Sequence, residues 1–173
     1  MSVTISDSIV WLPAADQLAA LAATDVSSAE LVELYLARIE THNKSLNAIV
    51  TVDVDGARRS AAEADAARAR GDRLGPLHGL PITIKDSYET AGIRTVCGRP
   101  DLADYVPTQD AEAVSRLRRA GAVILGKTNL PTGNQDVQAS NPVFARTNNP
   151  RATARPSGGS AGGGGAAPPP APP

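Results

Sequence analysis

One cysteine, Cys97, stands in 173 residues, so no disulfide can form within the chain. Neither sign of charge dominates: 17 basic and 18 acidic residues leave a net charge of −1. That balance gives no electrostatic footprint for nucleic acid or an anionic membrane. Basic residues are missing until Arg38, so the positive segment of a secretory signal is not found. The clearest unbroken aliphatic stretch, Ala122 to Leu125, is far too short to span a bilayer. Two histidines and no clustered carboxylates speak against a metal site, and there is no internal repeat. What remains is ordinary for a soluble globular protein: 42% hydrophobic and 20% charged residues, in a length sufficient for one domain with a core. The expectation is a cytoplasmic protein without cofactor.

Periodicity predicts a helix over Ala14 to Ala23, with Leu18, Leu21 and Ala22 at helical spacing. Ser27 and Glu30 form a capping-box pattern that opens a second helix running to about Asn43. Asn47 to Val52 reads as a strand, and the Ala-rich Asp55 to Arg70 as an exposed helix. Gly71 to Pro81 reads as a loop, and Ile82 to Lys85 as a short apolar strand. Glu112 to Ala120 reads as a helix ended by Gly121, and Ala122 to Leu125 as a buried strand. Helices alternating with short apolar strands predict an α/β fold. After Asn129, prolines at 131, 142 and 150 and Gly133 are expected to break any regular element. From Pro156 to Pro173 the chain is Gly, Ala, Ser and Pro, and is expected to add no ordered structure.

Gly121 to Thr128 carries the lettering of a phosphate-binding loop, GxxxxGKT. Its context is wrong: a helix precedes it, its interior AVIL favours a strand, and no helix follows. Cys97 and His78 could suggest a Cys–His nucleophile, but a lone cysteine without an activating environment is more often a small buried hydrophobe. Lys85, at the end of PITIKD, can be a base if its stem is buried, or can reach solvent beside Asp86. Gly158, Gly159, Ser160, Gly162 and Gly163 form a glycine–serine loop that would let backbone approach a reacting group, or could equally be a flexible linker. A buried-type lysine with a serine in a glycine loop fits acyl transfer with lysine as base.

The segments GPLHGLPITIKD (75–86), TAGIRTVCG (90–98), DLADYVPTQDAEAVSRLRRAGAVILGKTN (101–129) and NPVFARTNNP (141–150) resemble the amidase signature family, in the family's order. The resemblance implies a mixed sheet flanked by helices. It also implies hydrolysis of small-molecule amides at the carbon–nitrogen bond by a Ser–cis-Ser–Lys triad. Residues 1–155 would be the N-terminal part of the amidase domain, and 156–173 the start of its signature loop followed by disorder. By resemblance Lys85 takes a proton from Ser160, which relays it from a nucleophilic serine, and a cis peptide is implied at Ser160. The second serine of the motif is Ala161 here, and PRATARPS stands where the family has a Trp-Asp pair and a proline. The nucleophile belongs to a DIGGS-type motif further along, which the 173 residues do not include. The expectation is a fragment inactive alone, with Ile82, Ile84, Val123, Ile124 and Leu125 left without covering layers. The alternatives are a non-catalytic interaction module, whose proline tract serves an aromatic groove, and the amidase subunit of an aminoacyl-tRNA amidotransferase.

Overall fold

The structure is a computed structural model that describes residues 7–166. After a 3-10 turn at Asp7–Trp11, α1 spans Ala14–Ala23 and α2 spans Ser28–Leu46. The capping box forms as the sequence predicts: Glu30 N donates to Ser27 Oγ (3.1 Å), and Ser27 N to Glu30 Oε2 (2.9 Å). A second cap comes from far along the chain. Asp65 accepts from the backbone N–H of Ser28 (2.8 Å) and of Ala29 (3.0 Å), so free amides of α2 are held by a side chain outside the helix. Asp65→Ala is expected to lower stability by about 1 kcal/mol, read as a lower urea midpoint at unchanged slope.

Asn47 caps the end of α2, and Asn43 leads the chain into β1 (Ile49–Val52): its Oδ1 accepts from Ala48 N and Ile49 N. Asp53 caps α3 (Val54–Ala69), whose Ala57, Ala61 and Ala64 lie on one buried stripe. Small side chains there let α3 approach the sheet closely. β2 (Pro81–Lys85), α4 (Glu112–Arg119) and β3 (Val123–Thr128) complete the main body. The sheet has the order β1-β3-β2, with β1 antiparallel and β2 parallel to β3.

β3 is buried on both faces. Val123 and Leu125 pack with Val32, Leu36, Ala57 and Ala61 of the helical layer, and Ile124 packs with Ile84, Ile93 and Val114 on the other side. The expectation of uncovered strands is therefore corrected: Val123, Ile124, Leu125 and Ile84 are all buried, and Ile82 is half-buried. Helices α2 and α3 supply one layer, and α4 with the segment around Ile93 the other. Each aliphatic side chain that these layers withdraw from water contributes roughly 1.5–3 kcal/mol.

Two further expectations are corrected. The proline- and glycine-punctuated region after Asn129 holds four short strands. β4 (Ser140–Asn141) pairs with β5 (Ala145–Arg146), and β6 (Asn148–Asn149) pairs with β7 (Ala152–Pro156). The glycine-rich end also continues in regular structure as α5 (Gly162–Ala166), with Gly162, Gly163 and Ala166 buried. The proline tract beyond it, expected to be disordered, lies outside the described residues.

Candidate active site

Lys85 is the last residue of β2 and stands in register with Thr128 of β3. The strand end is clamped on both sides. Asp86 N donates to Thr128 O (3.0 Å), and Cys97 N donates to Asp86 O (3.2 Å). Side chains alternate across a strand, so Lys85 and Asp86 leave in opposite directions. Lys85 is half-buried, and its Nζ donates to Ser160 Oγ at 3.1 Å. Its amine thus meets Ser160 and not the neighbouring carboxylate of Asp86.

Ser160 reaches that position because the loop carrying it is anchored before and after. Ser157 N donates to Thr147 O (3.2 Å), and Thr147 Oγ1 donates to Asn47 O (2.7 Å). Gly158 turns the chain with φ +88°. Gly163 N then donates to Asn129 O (3.2 Å), directly after the β3 residue that faces Lys85. A Cβ on Gly163 would sit 2.4 Å from Asn129 N and 2.6 Å from Asn129 O, both backbone atoms with little freedom to give. Gly163→Ala is expected to push α5 off this seat and to cost about 2 kcal/mol, read by urea unfolding, with loss of protection at the Gly163 amide.

Around this pair, Gly162 is buried, Gly159 is exposed and Ala161 is exposed. The loop therefore closes without a second hydroxyl, with Gly165 N donating to Ala161 O (3.1 Å). No peptide bond among the described residues is cis, so the cis geometry implied at Ser160 is not present.

The other candidates separate. His78 is spent on α3, its Nε2 lying 2.8 Å from Ala64 O. The Cys97 thiol is half-buried and pushed up by burial and by the Asp86 charge, the reverse of an activated nucleophile. Gly121 to Thr128 is no phosphate loop, since Val123–Thr128 is strand. Among the described residues no cluster of His, Cys, Asp and Glu could hold a metal ion, and no helix is long and apolar enough to cross a membrane.

Two residues escaped the reading of the sequence as a chemical pair: Asp86 and Lys127, both withdrawn from water. Lys127 Nζ donates to Tyr88 O (2.5 Å), Thr90 Oγ1 (3.0 Å) and Thr95 Oγ1 (2.8 Å), and lies 3.9 Å from Asp86 Oδ1. Asp86 Oδ2 accepts from Val96 N (3.1 Å) and Cys97 N (3.0 Å). Burial pushes the Asp86 carboxyl up to about 6 against the opposing pull of the Lys127 charge, and pushes Lys127 down to about 8. The signal in the sequence is Gly126 inside an aliphatic strand. A Cβ there would meet Thr51 O of β1 at 2.1 Å, and the β2–β3 register shifts at this point, bringing Lys127 opposite Ile84.

Two open grooves lie on the surface of the described residues. One of 600 Å³ is lined by Ser87, Cys97, Arg99, Tyr105 and Gln135, and one of 310 Å³ by Trp11, Tyr35, Ile39, Ile82 and Leu125. Neither has Lys85 or Ser160 in its wall.

The profile of the family described as Amidase matches residues 30–167. The chain is 48% identical over 141 residues to a subunit of the glutamyl-tRNA(Gln) amidotransferase of Aromatoleum aromaticum, covering 82% of this chain and 29% of that protein. It is 40% identical over 149 residues to an acylamidase of Rhodococcus erythropolis, covering 86% and 31%. The solved peptide amidase of Stenotrophomonas maltophilia superposes with a TM-score of 0.83 at 34% identity, covering 91% of this chain and 34% of that one. The chain thus spans about three-tenths of the length of the curated relatives it matches. A profile over most of the chain, relatives of this identity and a shared fold lead to one conclusion: the chain belongs to the amidase family, the amidase signature enzymes.

Proposed function

We propose that Lys85 and Ser160 are the proton-handling part of an amidase site acting on the carbon–nitrogen bond of small-molecule amides. The observation that supports this is the 3.1 Å contact between Lys85 Nζ and Ser160 Oγ, residues 75 apart in the chain. Once its amine has given up a proton, Lys85 accepts the Ser160 hydroxyl proton along the same line. Ser160 in turn takes the proton of an attacking serine, whose oxygen forms a bond to the amide carbonyl carbon. Lys85 returns the proton through Ser160 to the departing nitrogen as the carbon–nitrogen bond breaks. Water then cleaves the acyl-enzyme by the same route. The attacking serine is a further residue beyond this pair, so the pair by itself forms no acyl-enzyme. Residues 1–155 act here as the base-bearing part of the domain, and the enzyme works in the cytoplasm without a cofactor.

The test is a chimera in which residues 1–166 replace the matching part of the Rhodococcus erythropolis acylamidase. Hydrolysis of a simple aryl amide by the folded chimera supports the reading. A folded chimera without activity sinks it and favours a non-catalytic interaction module. The identity to amidotransferase subunits supports a second reading, an amidase component working within a larger assembly. Co-purification of the chain's full gene product with further subunits would move that reading ahead.

A further inference from the structure

The lysine that gives Gly121 to Thr128 its phosphate-loop lettering is spent inside the protein. Lys127 is fully buried, and its three donors have three acceptors, all in the segment that follows Lys85: Tyr88 O, Thr90 Oγ1 and Thr95 Oγ1. A buried ammonium held this way has one geometry, because releasing any acceptor leaves a charged donor unsatisfied.

The chain of bonds leads back to the candidate base. Tyr88, whose carbonyl accepts a hydrogen bond from Lys127, donates its own N–H to Lys85 O at 3.1 Å. Asp86, the residue after Lys85, faces Lys127 at 3.9 Å and holds Val96 N and Cys97 N with its carboxylate. The peptide units on both sides of Asp86 are thus fixed, one to β3 through Thr128 O and one to the Val96–Cys97 turn. The direction in which a side chain leaves a strand follows from its backbone. Residues 85 to 88 are therefore a plate, bolted from behind by Lys127, from which the Lys85 side chain projects on the other face.

We propose that Lys127 is a positioning residue: through Tyr88 and Asp86 it sets the backbone from which Lys85 reaches Ser160. This rests on the relay reading of Lys85 and Ser160, and it gives the GKT lettering a role other than nucleotide binding.

The chain contains three lysines, Lys44, Lys85 and Lys127. Growth on isotopically labelled lysine therefore gives three ε-methylene signals in solution NMR, each assignable by substitution. In the otherwise native chain, Ser160→Ala should move the Lys85 signal, because it removes that amine's partner. In a Lys127→Met chain the same Ser160→Ala change should move it by less than half as much, because Lys85 no longer lies against Ser160. A response of undiminished size in folded Lys127→Met overturns the proposal, since a merely structural lysine would leave the Lys85–Ser160 coupling intact. If Lys127→Met does not fold, Thr95→Val takes its place: it removes one acceptor and no charge, and the same halving or its absence decides. If Ser160→Ala leaves Lys85 unmoved in the native chain, the relay reading itself fails and the positioning role falls with it, an outcome distinct from an undiminished response.

Discussion

Lys85→Ala in the acylamidase chimera should lower kcat by roughly 10²–10⁴-fold, the range for loss of a positioned general base. KM should change little, because Lys85 lines neither groove and contacts Ser160. Ser160→Ala should cost a similar factor. The double variant should be little worse than either single one, because a base and the hydroxyl it acts through work as a unit. Lys44→Ala is the control: this lysine is exposed, and its removal should leave kcat within a factor of about two. Additive losses at Lys85 and Ser160 would mean that the two act separately.

The second large effect is a pH dependence of stability opposite to that of most carboxylates. Asp86 is raised from 3.8 to about 6, so between those values the folded chain holds a proton that the unfolded chain has lost. Stability contributed by this group therefore falls as pH rises through that interval. Lys127 is lowered from 10.5 to about 8, so between those values the unfolded chain holds the extra proton, and stability rises with pH. Together they give a trough between pH about 6 and about 8, where both buried groups are charged. Each flank should rise by roughly 3 kcal/mol at 1.36 kcal/mol per pH unit. Glu30 and Glu33 are held low by Ser27 and Arg58, and their contribution runs the other way, lost as pH falls below the ordinary carboxylate range. The trough is therefore read as the difference between the native chain and Asp86→Asn/Lys127→Met, by urea unfolding at a series of pH values. A flat difference would show that burial does not dominate the two ionisations.

The elements were legible wherever local signals sufficed. α1 has the predicted bounds, and Ser27 with Glu30 opens α2 as the pattern requires. β3 runs three residues further than its aliphatic core suggests, because Gly126, Lys127 and Thr128 continue pairing with β1. In the sequence Lys127 stands out only as phosphate-loop lettering, and only a fold can show three acceptors converging on it. The glycine-rich end reads as disorder because it has no side chains for a core. It becomes helical up to Ala166 because Gly163 fits a slot on Asn129 that a methyl group would fill. The contact between Lys85 and Ser160 spans 75 residues, beyond any local pattern. Its two ends were found by their resemblance to a family motif, and their meeting by the structure.

The role given to Ser160, a relay and not the attacking group, is tested most directly by a serine-directed fluorophosphonate. The purified 173-residue chain is incubated with the probe and its intact mass measured, with peptide mapping of the segment around Ser160. The expected result is an unchanged mass, because Ser160 faces Lys85 and, as a relay, passes a proton without attacking. A covalent adduct on Ser160 that Lys85→Ala abolishes would contradict the relay and make Ser160 itself the nucleophile.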